Sequence, residues 1–175
     1  MVESSSDNQK NKASPRYITS RALLANCHPK IAEIFHYWNR KRGDRRMPSR
    51  SEIAPEDFVS HLPGILLVDV EGLDRNGVGI FRYRVVGTEE VALRGYDPTG
   101  RDVREGFFGP SLEDVIECYD YVRREGIFIY DPLEYETPDG RWRDESTIFL
   151  PLSEDGDTVS QIMVYSIKRD SKFTF

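Results

Sequence analysis

The sequence predicts an α+β domain built on an antiparallel sheet. Three observations carry that reading. Five segments have strand character, as a pair and a later triplet, with helical sequence before the pair and between the two groups. Turn signals at Asn76-Gly77 and Pro138-Asp139-Gly140 join consecutive strands, which favours antiparallel neighbours. Residues 81–103 begin as alternating aromatic and β-branched residues of the second strand and switch to helical sequence at Gly87-Thr88, which leads out of the pair.

Residues 1–15, rich in Ser, Asn, Lys and Gln, are expected to be disordered because they offer little to bury. Residues 16–48 form an N-terminal helical segment: a short helix within residues 17–27, then a new one begun by Pro29, which suits a first helical position. Ile31, Ile34, Phe35 and Trp38 recur at helical spacing and make one apolar face. Either the chain's own sheet or a second copy covers it, so these four are the candidate homodimer interface. Arg40, Lys41, Arg42, Arg45, Arg46 and Arg50 follow. They suit a solvated helix C-terminus, or a patch for nucleic acid or an acidic ligand.

The main domain is expected over residues 49–170. Ala54-Pro55-Glu56-Asp57-Phe58 opens a short helix with proline first and acids in its opening turn, and Leu62-Pro63-Gly64 stops it. Residues 65–71 and 80–86 are the first two strands. Phe81, Tyr83 and Val85 should share one face, and Ile80, Arg82, Arg84 and Val86 the other. Thr88 is placed to cap a short helix with Glu89 and Glu90 in its first turn and Gly95 at its end. Asp97-Pro98-Thr99-Gly100 turns the chain. Ser111 and Asp114 open the longest central helix, with Leu112, Val115, Ile116, Tyr119 and Val122 on one face and Gly126 at its end. Strands follow over residues 127–136, 141–152 and 158–168.

Composition narrows the function. A net charge of −6 argues against general nucleic-acid binding, which needs a clustered positive surface. No apolar run reaches the roughly 20 residues of a membrane helix, and the polar start is no signal peptide. Cys27 and Cys118 are too few for a disulfide scaffold and lack metal-ligand spacing, so a reducing cytoplasm is expected. There is no Gly-rich phosphate loop, Gly-x-Ser-x-Gly elbow or His-Glu-x-x-His motif. The enzyme alternative rests on acids or Cys118 in a cleft. Arg82 and Arg84 need either carboxylate partners, such as Asp69 or Glu71, or an anionic ligand.

One run of residues resembles a known family. Trp38 with Arg42, Met47-Pro48-Ser49-Arg50, Ile53, Pro55, Leu62-Pro63, Phe81-Arg82-Tyr83-Arg84-Val85-Val86-Gly87-Thr88, Gly95, Asp97, Thr99-Gly100-Arg101 and Leu150-Pro151-Leu152 are similar to a bacterial PAS-like family of unknown function. The resemblance covers about residues 28–168. It implies a five-stranded antiparallel sheet with helices between strands two and three, an N-terminal helix, and the first strand beside the fifth. It also implies a stand-alone sensory or regulatory module acting through a protein partner, with a possible small ligand between sheet and helices. Neither haem nor covalent flavin is expected. Cys118 sits in Glu-Cys-Tyr rather than Asn-Cys-Arg, and His28, His36 and His61 all precede the first strand. The identity of any cofactor stays open.

The candidate ligand-binding residues are Arg84, Tyr96, Phe108, Tyr119 and Trp142; in the resembled fold the elements of Tyr119 and Trp142 face each other across the cavity. No histidine is among them to move a proton near neutral pH, so the expected site is passive, and no catalytic or metal-binding residue is assigned. A weaker likeness joins Arg46 and Arg50 with Asp144-Glu145-Ser146-Thr147-Ile148-Phe149, which resembles the paired motifs of PilZ-type cyclic-dinucleotide receptors, although Phe149 stands where a small residue is wanted.

Overall fold

The computed structural model describes residues 16–136 and 142–171, with side chains from 16 to 133 and from 145 to 168. Residues 1–15 and the Pro138-Asp139-Gly140 turn lie outside the described residues. Five strands, β1 (Ile65–Leu73), β2 (Gly79–Val86), β3 (Ile129–Glu136), β4 (Trp142–Leu152) and β5 (Gln161–Ser171), form one sheet in the order β2-β1-β5-β4-β3. Every neighbouring pair is antiparallel, and the first strand lies beside the fifth as expected. β5 starts later than residue 158 for a local reason. The Asp155 carboxylate accepts the amides of Asp157 and Thr158, which holds that stretch as a turn.

Helix α1 spans Pro29–Arg42, α2 Thr88–Arg94, α3 Val103–Gly106 and α4 Leu112–Glu125. Ser111 caps α4 by accepting from the Asp114 amide. The cap expected at Thr88 falls one residue earlier. Gly87 donates to the Ile65 carbonyl and accepts from the Val91 amide, so Thr88 is already helical. Residues 17–27 hold only a short 3-10 turn, Arg21–Ala25, because Ile18 is extended and bridges Tyr130 with bonds of 2.9 and 2.8 Å. A longer 3-10 segment, Pro55–Gly64, runs into β1 and breaks its helical geometry at Phe58.

The sheet is covered on both faces. On one, Tyr119 of α4 stacks on Phe81 and meets Phe149 edge-on, at 5.3 and 5.2 Å between ring centres. On the other, alternation places Ile148, Leu150, Met163 and Tyr165. There α1 packs against β4 and β5, and the Trp38 indole donates to the Pro151 carbonyl at 2.9 Å. Ile31, Ile34, Phe35 and Trp38 are only 0%, 0%, 1% and 2% exposed within this single chain. The dimer expectation depended on that face staying open, and the chain's own sheet closes it. Residues 16–48 therefore share one core with residues 49–170. Among the described residues no helix is long and apolar enough to cross a membrane.

A bulge separates the predicted and observed faces of β2. Leu67 pairs with Val85 and Val68 with Tyr83, which leaves Arg84 as an extra residue. Parity changes there, so Phe81 and Tyr83 point inward while Val85 is exposed on the far side. The basic run after α1 is used locally. Arg45 donates to the Lys41 and Arg42 carbonyls and to Glu52, and Arg46 donates to the Glu125 carbonyl at the end of α4. These are helix C-termini receiving positive charge. Arg50 instead reaches the Ile53 carbonyl, so Arg46 and Arg50 serve separate carbonyls rather than one shared site.

Candidate functional site

A cavity of about 70 Å³ lies between the inner face of the sheet, α4 and the loop over residues 107–111. One end is ionic and comes largely from α2. Glu90 and Arg94 are one helical turn apart, on the side of α2 that faces inward, with side chains 4% and 3% exposed. Arg94 Nη1 donates to Glu90 Oε2 at 2.7 Å and to the Glu90 carbonyl, Nε to the Gly106 carbonyl, and Nη2 to the Tyr83 hydroxyl at 3.3 Å. Lys168 of β5 donates to Glu90 Oε1 at 2.8 Å and stands 3.7 Å from Glu145 of β4. Burying an unpaired ion costs several kcal/mol, so each charge here depends on its partners. Burial works against the Arg94 charge, but Glu90 and Tyr83 outweigh it and its pKa ends above the ordinary value. Burial also raises the pKa of the Tyr83 and Tyr119 hydroxyls.

The opposite end is held by the N-terminal segment. Arg16 grips Asp131 with both carboxylate oxygens, at 2.6 and 3.1 Å, and lies 3.7 Å from Asp114. Burial raises the pKa of Asp131, with Arg16 opposing. Cys118 is buried there, and burial pushes its thiol up to about 12; a hydrogen bond with Tyr17 offsets only part of that. At neutral pH the thiol is protonated and is a poor nucleophile. Leu66, Val115, Tyr119, Phe149 and Val164 line the middle.

The structure brings together some expected site residues and separates others. Tyr119 and Phe108 line the cavity, the first fully buried, the second 39% exposed at its rim. Tyr96 is 41% exposed beneath the Arg101 guanidinium and is not part of the wall. Arg84, the expected anchor, is the bulge residue. Its side chain is 68% exposed and 4.0 Å from Asp69, outside the cavity. Arg82 pairs with Glu71 at 2.8 Å, so carboxylates on β1 answer both arginines. Trp142 lies on β4, but its side chain is outside the described residues.

Arg94, Glu90 and Lys168 are the charged residues of the cavity wall that sequence reasoning missed. The available signal was an acid and a base four residues apart on the helix that follows strand two.

Behind the ionic end lies a second, outer groove of about 590 Å³, between α2, the Pro55–Gly64 segment, the start of α1 and β5. His28, Lys30, His61, Glu89, Leu93 and Tyr165 line it, and Glu90, Ser166 and Lys168 belong to both walls. His61 Nε2 is 2.8 Å from Glu33 Oε2 but makes no directional hydrogen bond to it. Among the described residues no group of His, Cys, Asp and Glu is arranged to hold a metal ion.

A family model described as a PAS domain matches residues 26–165. Among solved structures, a light-oxygen-voltage domain studied with a flavin analogue is 14% identical, with a TM-score of 0.45 over 66% of this chain and 84% of that one. An RNA-binding light-oxygen-voltage receptor is 16% identical, with a TM-score of 0.42 over 69% of this chain. The matched region spans only 35% of that receptor. No curated protein matches the sequence at a significant level.

Proposed function

The chain belongs to the PAS domain family, and from that premise we propose that it is a sensory module that holds a small molecule in the interior cavity and signals through a protein partner. The observation that carries this reading is the buried Arg94–Glu90–Lys168 cluster in the cavity wall. Charges placed so deep orient a ligand or hold a conformation, and here they adjoin an apolar chamber. The chemistry of the wall favours binding over turnover. Cys118 is its thiol, held protonated by burial, and no histidine lies among the described residues that line it. Free thiols at Cys27 and Cys118 suit a reducing cytoplasm.

The test is incubation of the purified protein with a metabolite extract, followed by mass spectrometry of the retained and the free fractions. The expected result is retention of a small compound without conversion. Time-dependent loss of one compound with matching gain of another, removed by Cys118→Ala, would replace this reading with an enzyme.

A further inference from the structure

We propose that the ionic end of the cavity takes the carboxylate of a short apolar acid, and that the acid reports its presence by competing with Glu90 for Lys168. This rests on the ligand-binding reading above. The hydrogen-bond inventory decides the class. Glu90 has Oε2 engaged by Arg94 and Oε1 by Lys168. An ammonium carries three N–H donors, and Lys168 directs one of them to Glu90 at hydrogen-bonding distance, whereas Glu145 at 3.7 Å is beyond it. The Tyr83 hydroxyl accepts from Arg94 and keeps its own hydrogen to give. The hydrogens still to be given at this end therefore belong to Lys168 and Tyr83, while both Glu90 oxygens are engaged. A carboxylate, with two oxygens and no donor, complements those hydrogens and competes with Glu90 and Glu145 for Lys168, whereas an amine would find both Glu90 oxygens already engaged. Next to this end the wall is Leu66, Tyr119, Phe149 and Val164, which suits a hydrocarbon chain. A volume of about 70 Å³ is room for the equivalent of a few water molecules, so the chain is short.

The same geometry supplies a route outward. Glu90 and Lys168 line both the interior cavity and the outer groove, and their 2.8 Å contact is part of the partition between them. A carboxylate that engages Lys168 weakens its hold on Glu90, a contact by which β5 holds α2. The loosened helix carries Glu89 and Leu93 on the groove side. Ligand in the interior thus changes the surface of the groove.

Calorimetric titration of the intact protein with butyrate, butylamine and butanol tests the class. Butyrate should bind, and butylamine should not. Lys168→Met should weaken butyrate at least about tenfold, the usual scale for losing a hydrogen bond to a charged group. Lys168→Arg should retain most of the affinity, and Glu145→Gln should tighten binding by removing a competing carboxylate. Amide exchange over residues 88–95 should rise with butyrate in the wild type and not in folded Lys168→Met. Butylamine binding as well as butyrate, or unchanged butyrate affinity in a Lys168→Met protein that melts cooperatively, would overturn the assignment. Failure of all three compounds to bind at about 10 mM would do so too. The sensory reading would survive that outcome, because the metabolite extract can still yield a ligand of another class. Butyrate binding without faster exchange in α2 would overturn the route outward alone.

Discussion

Arg94 and Glu90 are joined by a 2.7 Å ion pair inside the protein, with both side chains less than a twentieth exposed. Such a pair contributes little net stability against an apolar replacement, but losing one member strands the other. Arg94→Met should therefore destabilise the fold by about 3–5 kcal/mol. The double change Glu90→Leu with Arg94→Met should cost less than the sum of the two single changes. Urea denaturation of the four proteins measures the coupling, and additive losses would show that the pair acts as two independent charges.

Gly87 lies against the backbone of Leu62 and Pro63. A Cβ there would lie 2.3 Å from the Pro63 carbonyl oxygen and 2.4 Å from that of Leu62, both backbone atoms. Its φ of −64° suits any residue, so the restriction is purely steric. Gly87→Ala should cost at least the 1–3 kcal/mol typical of overpacking, because neither carbonyl can move without shifting the entry to β1. A thermal melt within a degree of wild type would mean that the segment yields freely.

The N-terminal helix is part of the core. A chain that starts at Ser49 lacks Ile31, Ile34, Phe35 and Trp38, each a large apolar side chain whose burial contributes on the order of 1.5–3 kcal/mol. That loss is comparable to the whole stability of an ordinary domain. Such a chain should show no cooperative thermal transition by circular dichroism. A sharp transition near the wild-type temperature would show that α1 is an appendage.

Asp155 should shape the acid limb of the stability curve. It accepts from the Ser153 hydroxyl and the Asp157 and Thr158 amides, the two amides being the strongest influences, and its pKa falls from 3.8 to about 2. A carboxyl depressed in the folded state contributes fully above its unfolded value, and that contribution is lost as pH falls towards the folded one. Asp155→Asn does not titrate, so its melting temperature should fall less steeply than wild type between about pH 4 and pH 2. Parallel curves would show that the carboxylate is equally solvated in both states.

Cys118 should resist alkylation. Its thiol is buried and pushed up to about 12, so almost none is thiolate at pH 8. Peptide mass spectrometry after iodoacetamide treatment should find Cys118 unmodified in the native protein and fully modified in urea. Rapid native labelling would reveal an opening of the cavity that the folded geometry lacks.

Much of this fold is legible in the sequence, because period-two and period-3.6 patterns report directly on which side a residue faces. Tyr119 was identifiable from its helical face, and the strand pair from Asn76-Gly77. The Arg84 bulge was not, since aromatic and basic residues keep alternating through it while the register beneath them shifts. Glu90 was hidden for another reason. An acid in a first helical turn is explained well enough by the helix dipole, and nothing local says that it is buried. Lys168 joins Glu90 from 78 positions away, a meeting fixed by strand order rather than by any motif.

The bridge between Ile18 and Tyr130 covers part of a sheet margin. β3 and β2 are the two margins of the sheet, where unpaired backbone groups invite another molecule to add a strand. Ile18 occupies β3 with a pair of hydrogen bonds. On β2, the Tyr83 amide donates to the Arg101 carbonyl and the Tyr83 carbonyl accepts from the Gly100 amide, next to the bulge at Arg84. Each margin is therefore interrupted at one point. Removing the segment around Ile18 would leave the amide and the carbonyl of Tyr130 open to an added strand.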